Sequence, residues 1–263
     1  MKTARRPNRR ARRIARHVRL AMAYERGLAH DLRKIFTRAG RDAAAHVAQG
    51  DAQFIDNAAS AYAGAIAQAI RARLQAAAEA SAQLVVEELT GEKAAPDGLE
   101  LKFLSLFDVA KQAIADWLAH NGAAMVRRVT ESIRRTIRGS LRRGNELNEP
   151  PRVLARRIRD DAAGEIGRAR AETIAKTETH TAANVGSEAA ANATGLQLVK
   201  EWGATEDQRT RQAHAKADGQ TVEKDADFIV GGERLRFPGD PKGSAHNVIN
   251  CRCVVLWKPK IPR

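Results

Sequence analysis

Apolar side chains recur every three or four residues over most of the stretch between Gly50 and Leu141. This spacing is typical of one face of an α-helix, which turns once in 3.6 residues, and differs from the alternation of a strand. The first such stripe consists of Ile55, Ala59, Tyr62, Ile66, Ile70 and Leu74. The second consists of Phe103, Phe107, Ala110, Ile114 and Trp117, and it resumes as Met125, Val129, Ile133, Ile137 and Leu141. Aromatic residues make up only 4% of the chain, which favours thin, alanine-lined helices over a sandwich or barrel. The sequence therefore predicts long helices that bury these stripes.

The pattern changes after Gly195. Apolar residues alternate over residues 196–202, as in a half-buried strand. The apolar run 228–230 is followed by Gly231-Gly232 and then by residues 233–237, which predicts a hairpin with a two-residue loop. Residues 252–258 resemble a closing strand. The predicted fold class is therefore mostly α, with long N-terminal helices and a small C-terminal α+β module built from a helix and a short antiparallel sheet.

Glycines, asparagines and a Pro150-Pro151 pair between Gly139 and Pro151 predict a domain boundary. Together with the charge pattern, this boundary divides the chain into three predicted parts. They are a basic arm (1–22), a helical stem (23–143) and a C-terminal α+β domain (144–263).

Positive charge is concentrated in two blocks. Residues 1–50 carry 14 basic and 3 acidic side chains, and residues 127–170 carry 13 and 6. The first 20 residues hold nine basic side chains and no acid, a pattern that favours binding to a polyanion, since each neutralised phosphate releases counterions. We expect DNA contacts from Arg5, Arg6, Arg9, Arg10, Arg12, Arg13, Arg16 and Arg19. Pro7 predicts that the first helix begins near Asn8, and we expect that residues 2–19 can be deleted without unfolding the protein.

No apolar run approaches the ~20 residues of a membrane span. The basic N-terminus is not followed by an apolar segment, so we expect no signal peptide and no membrane partner.

Three blocks of sequence resemble the Mu protein F-like phage head morphogenesis family, in the order and spacing of that family. They are RAETIAKTETHTAANVGSEAAANATG at 170–195, KEWGATEDQRTRQAHAKADGQ at 200–220 and FPGDPKGSAHNVINCRCVVL at 237–256. The resemblance covers roughly residues 148–257. It implies a minor virion protein that is needed for head assembly or DNA delivery. We expect the helical stem, which lies outside the resemblance, to bind the portal protein or the major capsid protein. The implied location is the virion head, assembled in the bacterial host cytoplasm.

Many relatives in this family carry a pattern that resembles a zinc-ribbon site, in which a Cys-x-x-Cys is followed by a terminal Cys-x-Cys. In this chain Arg211 stands at the first of these positions and His214 at the second, while Cys251 and Cys253 are retained. The resemblance thus leaves His214, Cys251 and Cys253 as zinc ligands, with His246 as a possible fourth. The alternative, which the arginine favours, is that no cofactor binds, that His214 hydrogen-bonds within the fold and that both cysteines are small buried residues.

For the remaining polar residues of this region, we predict a structural role, in hydrogen bonds that hold the fold together, rather than a catalytic one. Glu178 is expected to lock the long helix to the α+β module, and a polar cluster is expected to hold the loop that follows it. The whole predicted set is Glu178, Asp207, Arg209, His214 and Asp218. We therefore expect a protein that is not an enzyme. The alternative is a metal-dependent nuclease that uses His214, His246, Cys251 and Cys253.

Overall fold

The computed structural model of the chain describes residues 8–51, 60–90, 99–205 and 207–260. The helices of this part are α1 (Arg9–Ala48), α2 (Ala63–Thr90), α3 (Leu99–Glu146), α4 (Pro151–Ala163), α5 (Glu165–Ala193), α6 (Gln212–Ala217) and α7 (Ala245–Val248). The strands are β1 (Leu198–Gly203), β2 (Thr221–Glu223), β3 (Phe228–Val230), β4 (Glu233–Leu235) and β5 (Val254–Pro259). The predicted fold class is therefore confirmed, and so is the start of the first helix beside Asn8.

The described residues group into two compact units. The first unit is drawn from residues 1–24, 74–116 and 176–263, and the second from residues 25–73 and 117–175. Helices α1, α2, α3 and α5 each contribute residues to both units. The division into arm, stem and C-terminal domain stays a prediction.

The apolar stripes form core, as their spacing predicts. In α3, the side chains of Met125, Val129, Ile133 and Ile137 are at most 1% exposed. In α2, Ile66, Ile70 and Leu74 are at most 2% exposed. Leu141 is only half-buried. Residues 55 and 59 and the side chain of residue 103 lie outside the described part of the chain.

The C-terminal module contains a three-stranded antiparallel sheet in the order β2-β1-β5. Trp202 of β1 pairs with Val255 of β5. The predicted hairpin is confirmed, since β3 and β4 pair antiparallel across a two-residue loop. Both loop residues have positive φ, 60° at Gly231 and 85° at Gly232. Glycine adopts this conformation without steric cost, and it matches the twist of the flanking strands.

Helix α5 holds this module through buried polar side chains. The Asn184 amide accepts a hydrogen bond from the Val255 backbone N–H (3.1 Å) and donates to the carbonyls of Pro238 (2.9 Å) and Cys253 (3.1 Å). The Trp257 indole donates to Ser187 Oγ at 2.8 Å. Because a buried polar group is stable only when it is paired, these bonds fix α5 against β5 and the turn before it.

Within the described ranges, no helix combines the length and the apolar character that crossing a bilayer requires.

Candidate functional site

The predicted DNA-binding arginines divide between two faces of α1. Four of them are exposed and are here called the arginine face: Arg9, Arg12, Arg16 and Arg19. Their spacing of three, four and three residues puts them on one side of the helix. At 1.5 Å per residue, this face is about 15 Å long. Arg5 and Arg6 lie outside the described residues.

Arg10 and Arg13, by contrast, are partly buried and pair with acids. The Arg10 guanidinium contacts Glu201 Oε1 at 2.5 Å and Asp218 Oδ1 at 2.7 Å. Arg13 contacts Glu88 Oε2 at 2.6 Å and also donates to the Trp257 carbonyl. Both side chains are only partly exposed, 29% for Arg10 and 24% for Arg13. These two arginines therefore hold α1 to the rest of the first unit.

A second contact of α1 lies one turn further on. His17 Nε2 is 3.2 Å from Glu88 Oε2, and both side chains are nearly buried. Burial raises the pKa of Glu88, but the hydrogen bonds from His17 and Arg13 outweigh it and lower the pKa to about 2. Glu88 is therefore a carboxylate at neutral pH, held between two basic side chains.

Ile14 completes the contact, since it packs with Val254 and Leu256 of β5 in one apolar cluster. It is 6% exposed. Deleting residues 2–19 would remove this side chain and the partners of Glu88. The expectation that the segment is dispensable for folding stays a prediction, and these contacts argue against it, because burial of Ile14 and pairing of Glu88 depend on the segment.

A buried cluster of sulfur and nitrogen atoms connects α6 to the segment before β5. His214 Nδ1 lies 3.7 Å from Cys251 Sγ and 3.5 Å from Cys253 Sγ. All three residues are at most 3% exposed. Asn250 has a positive φ of 60°, which turns the chain immediately before Cys251. Asparagine tolerates this left-handed conformation better than most residues.

Neighbouring side chains fix the orientation of His214. Its Nε2 lies 3.3 Å from Asn247 Oδ1, and Asn247 Nδ2 donates to the Val230 carbonyl at 3.3 Å. Because Asn247 uses its NH₂ on a carbonyl, its oxygen faces the histidine and Nε2 is the donor. Nδ1 is then the unprotonated nitrogen, and its lone pair faces the two sulfurs. The Trp202 ring meets the His214 ring edge-on, with centroids 5.5 Å apart.

The two thiols perturb each other in opposite directions. The hydrogen bond from Cys253 holds the pKa of Cys251 well below its ordinary value against the effect of burial, and His214 adds to the lowering. The same contact and burial raise the pKa of Cys253 well above its ordinary value, while Trp202 acts against this rise. One proton shared by two sulfurs has this effect, since the second thiolate would face the first.

This donor set fits a soft divalent ion such as zinc. The ligand atoms of His214, Cys251 and Cys253 all lie within 4.8 Å of one another. Thiolate and neutral imidazole are the donors that zinc prefers. His246, the predicted fourth ligand, is exposed on α7 and does not belong to this group. The Arg211 guanidinium instead donates to the Ile249 carbonyl.

The other members of the predicted polar cluster are distributed over separate contacts. Asp207 pairs with Arg252 at 2.7 Å and accepts the Arg209 backbone N–H at 3.0 Å. Asp218 accepts a hydrogen bond from Arg10 and one from the Ala204 backbone at 2.7 Å. Glu178 is 7% exposed on α5. Their architectural role stays a prediction.

Sequence reasoning missed the acids that neutralise Arg10 and Arg13. It also missed the contact between Asn247 and His214. The acids lie 75 to 208 positions along the chain from Arg10 and Arg13, so no local sequence pattern predicts these ion pairs. Asn247 directly follows His246 in the sequence. Adjacent residues of a helix point about 100° apart, so that only one of the two can face the cluster.

Comparison with known proteins bears on the same region. Residues 131–256 match the family described as Phage Mu protein F like protein. The chain is 34% identical over 97 residues to the minor head protein GP7 of Bacillus phage SPP1, which covers 35% of this chain and 31% of GP7. It is 36% identical over 62 residues to the NAD(+)–arginine ADP-ribosyltransferase EFV of Enterococcus faecalis, which covers 24% of this chain and 12% of that protein. The chain thus spans less than a third of the length of either relative. No solved structure matches it significantly.

The family match confirms the resemblance drawn from the three sequence blocks. It also begins earlier, at residue 131 within α3, so that the last third of that helix and α4 are part of the matched region.

Proposed function

Because residues 131–256 match the Phage Mu protein F-like family, we propose that this chain is a minor head protein that organises other virion components during head assembly. The observation that carries the proposal is the family match together with the similarity to a minor head protein. The family supports a role in head morphogenesis and a location in the virion head. The finer proposal is that the chain is assembled into heads in the host cytoplasm, binds the portal or major capsid protein, and contacts packaged DNA.

The arginine face is the proposed DNA contact. Arg9, Arg12 and Arg19 are exposed, and they form no ion pair with an acid among the described residues. Arg16 pairs with Glu87 at 3.0 Å, in a bridge that is open to solvent and is therefore weak. Three of the four arginines, all but Arg19, line an open groove of about 830 Å³, which Lys258, Glu87 and Glu88 also line. Exposed guanidinium groups suit phosphate because their planar fork donates two parallel hydrogen bonds.

A quadruple alanine variant of the arginine face tests the DNA contact in the full-length chain. Each lost phosphate contact reduces the slope of log K against log salt concentration by about 0.9. Four contacts therefore predict a slope smaller by about 3 to 4, with weaker binding to duplexes of any sequence. Fluorescence anisotropy over a range of salt concentrations measures both quantities.

The matched control removes the same charge from exposed arginines of α3, with alanine at Arg127, Arg135, Arg138 and Arg142. This control should retain most of the salt dependence. Equal losses in the two variants would mean that net charge alone drives binding, and an unchanged slope in the first variant would remove the arginine face as the DNA contact.

The protein contact is tested by affinity purification with the portal and the major capsid proteins of the same phage, expressed together. The proposal expects one of them to copurify at 0.15 M salt, a condition that screens exposed charge pairs, and expects the chain in purified virions by mass spectrometry. Absence from virions and from both complexes would refute the assignment.

No described observation favours the nuclease alternative. Three of its four residues are buried, and His246 points elsewhere. A nuclease must bring its metal to a scissile phosphate, so a cluster that is at most 3% exposed has no access to that substrate.

A further inference from the structure

We propose that Glu87, at the end of α2, competes with phosphate for Arg16 and thereby lowers the affinity of the arginine face for DNA. This inference rests on the DNA contact proposed above and assigns a regulating residue to it. Both residues belong to the first unit.

The carboxylate of Glu87 accepts a hydrogen bond from Arg16 that a phosphate would otherwise accept. Glu87 Oε2 lies 3.0 Å from Arg16 Nη2, and both side chains line the open groove that Arg9 and Arg12 also line. Carboxylate and phosphate bind a guanidinium in the same way, through oxygens that accept its N–H groups. Because a guanidinium binds phosphate best through two parallel bonds, the contact with DNA is complete only after Glu87 has left.

Glu87 can leave without disturbing the fold, unlike its neighbour Glu88. The Glu88 side chain is 10% exposed and contacts Arg13 and His17. The Glu87 side chain is 34% exposed, and its Oε1 accepts a hydrogen bond from Gln83 one turn earlier, at 3.3 Å. Both of these bonds of Glu87 are open to solvent, where water replaces them at little cost.

The position of Glu87 at a helix end supplies a second argument. Glu87 lies in the last turn of α2, which ends at Thr90 and contains no basic residue. The carbonyl groups at a helix C-terminus carry partial negative charge, which disfavours a carboxylate beside them. The charge at position 87 therefore does not stabilise its own helix, whereas competition for Arg16 requires it.

The size of the effect follows from the exposure of the pair. An exposed ion pair corresponds to a factor of about 1.4 to 5 in an equilibrium constant, and repulsion between Glu87 and a bound phosphate adds to this. Glu87→Gln should therefore tighten DNA binding by about two- to five-fold at low salt. The gain should shrink as the salt concentration rises, because exposed charges are screened. Glu87 thus sets how readily the arginine face releases DNA.

The experiment titrates the full-length protein into a fluorescent DNA duplex at several salt concentrations and measures the affinity by anisotropy. Glu223→Gln is the matched control. It removes the same charge from an exposed carboxylate that pairs with Lys260 at 2.8 Å and does not line the groove. We expect the full gain in Glu87→Gln and a change of less than about 1.5-fold in the control. Thermal denaturation should give similar Tm values for both variants and the unmodified protein.

A double-mutant cycle assigns the effect to the pair. In an Arg16→Ala background, Glu87→Gln should bring no more gain than the control does, because the side chain for which Glu87 competes is gone. Arg16→Ala alone should weaken binding less than Arg12→Ala. The reason is that Arg12 forms no ion pair with an acid among the described residues and has no competitor to displace.

The inference is overturned if Glu87→Gln binds DNA no more tightly than the control, or if its gain persists undiminished without Arg16. If Glu87→Gln does not fold, the comparison of Arg16→Ala with Arg12→Ala decides, and an equal or larger loss in Arg16→Ala overturns the inference. Failure of the DNA contact itself gives a different result, since the quadruple variant of the arginine face would then bind DNA as the unmodified protein does.

Discussion

Replacing Gly186 by alanine should destabilise the protein, although alanine is normally the better helix former. Gly186 lies within α5, where a Cβ atom would be 1.9 Å from the Ala78 carbonyl oxygen and 2.6 Å from its carbon. Both residues belong to the first unit. Because the obstacle is the backbone of α2 rather than a flexible side chain, the two helices must separate to admit the methyl group.

The magnitude follows from two opposed effects. Overpacking costs typically about 1–3 kcal/mol and occasionally more, and a clash with backbone belongs to the upper end of that range. The gain in helix propensity is at most about 1 kcal/mol. A net loss of about 2 kcal/mol corresponds to a Tm lower by about 4–8 °C in a protein of this size.

Gly122→Ala is the matched control, since Gly122 lies inside α3 and no atom lies within 4 Å of its added Cβ. Here only the propensity acts, so stability should rise by up to about 1 kcal/mol. Thermal and urea denaturation followed by far-UV circular dichroism measures both variants. If Gly186→Ala were as stable as the unmodified protein, the close approach of α5 and α2 would be refuted.

Three further predictions concern buried polar groups. The pKa of Glu88 lies at about 2 in the folded protein, below its ordinary value of 4.5, so its contribution to stability is present above pH 4.5 and is lost as the pH falls towards 2. In urea denaturation at several pH values, Glu88→Gln should reduce the loss of stability in this window, and parallel curves would contradict the pairing. Asn184→Leu leaves the Val255 N–H and two carbonyls unpaired and should lower the free energy of unfolding by at least about 2 kcal/mol. Ser187→Ala leaves the Trp257 indole unpaired and should cost about 1–3 kcal/mol, and a smaller loss by the same measurement would mean that water satisfies the indole.

The elements that the sequence predicted correctly are those specified by neighbours in the chain. The apolar residues from Met125 to Ile137 recur at helical spacing, so they all lie on one face of a helix. This spacing alone therefore predicts the helix. The Gly231-Gly232 hairpin is also local, because only glycine accepts two consecutive positive φ angles without cost. The sequence blocks further predicted that His214, Cys251 and Cys253 could share a site, and these three side chains do meet.

The basic arm shows where such reasoning fails. A run of arginines without acids looks uniform in the sequence. In α1, however, some of these arginines are exposed and others are partly buried and paired with acids. Arg10 and Arg13 are neutralised by Glu201 and Glu88, which lie 191 and 75 positions away. Nothing in the local pattern distinguishes Arg10 from Arg9, since the distinction depends on which side of the helix packs against β5 and the end of α2.

The amino-acid sequence by itself determined the long helices, the hairpin and the resemblance to the family, because periodicity, turn chemistry and motif order are properties of the chain. Only the tertiary structure decided which arginines remain open to a phosphate, and that Asn247 rather than His246 meets His214. Both features depend on contacts between segments that are far apart in the sequence. Such contacts are set by how whole helices and strands pack, and not by the neighbouring residues in the chain.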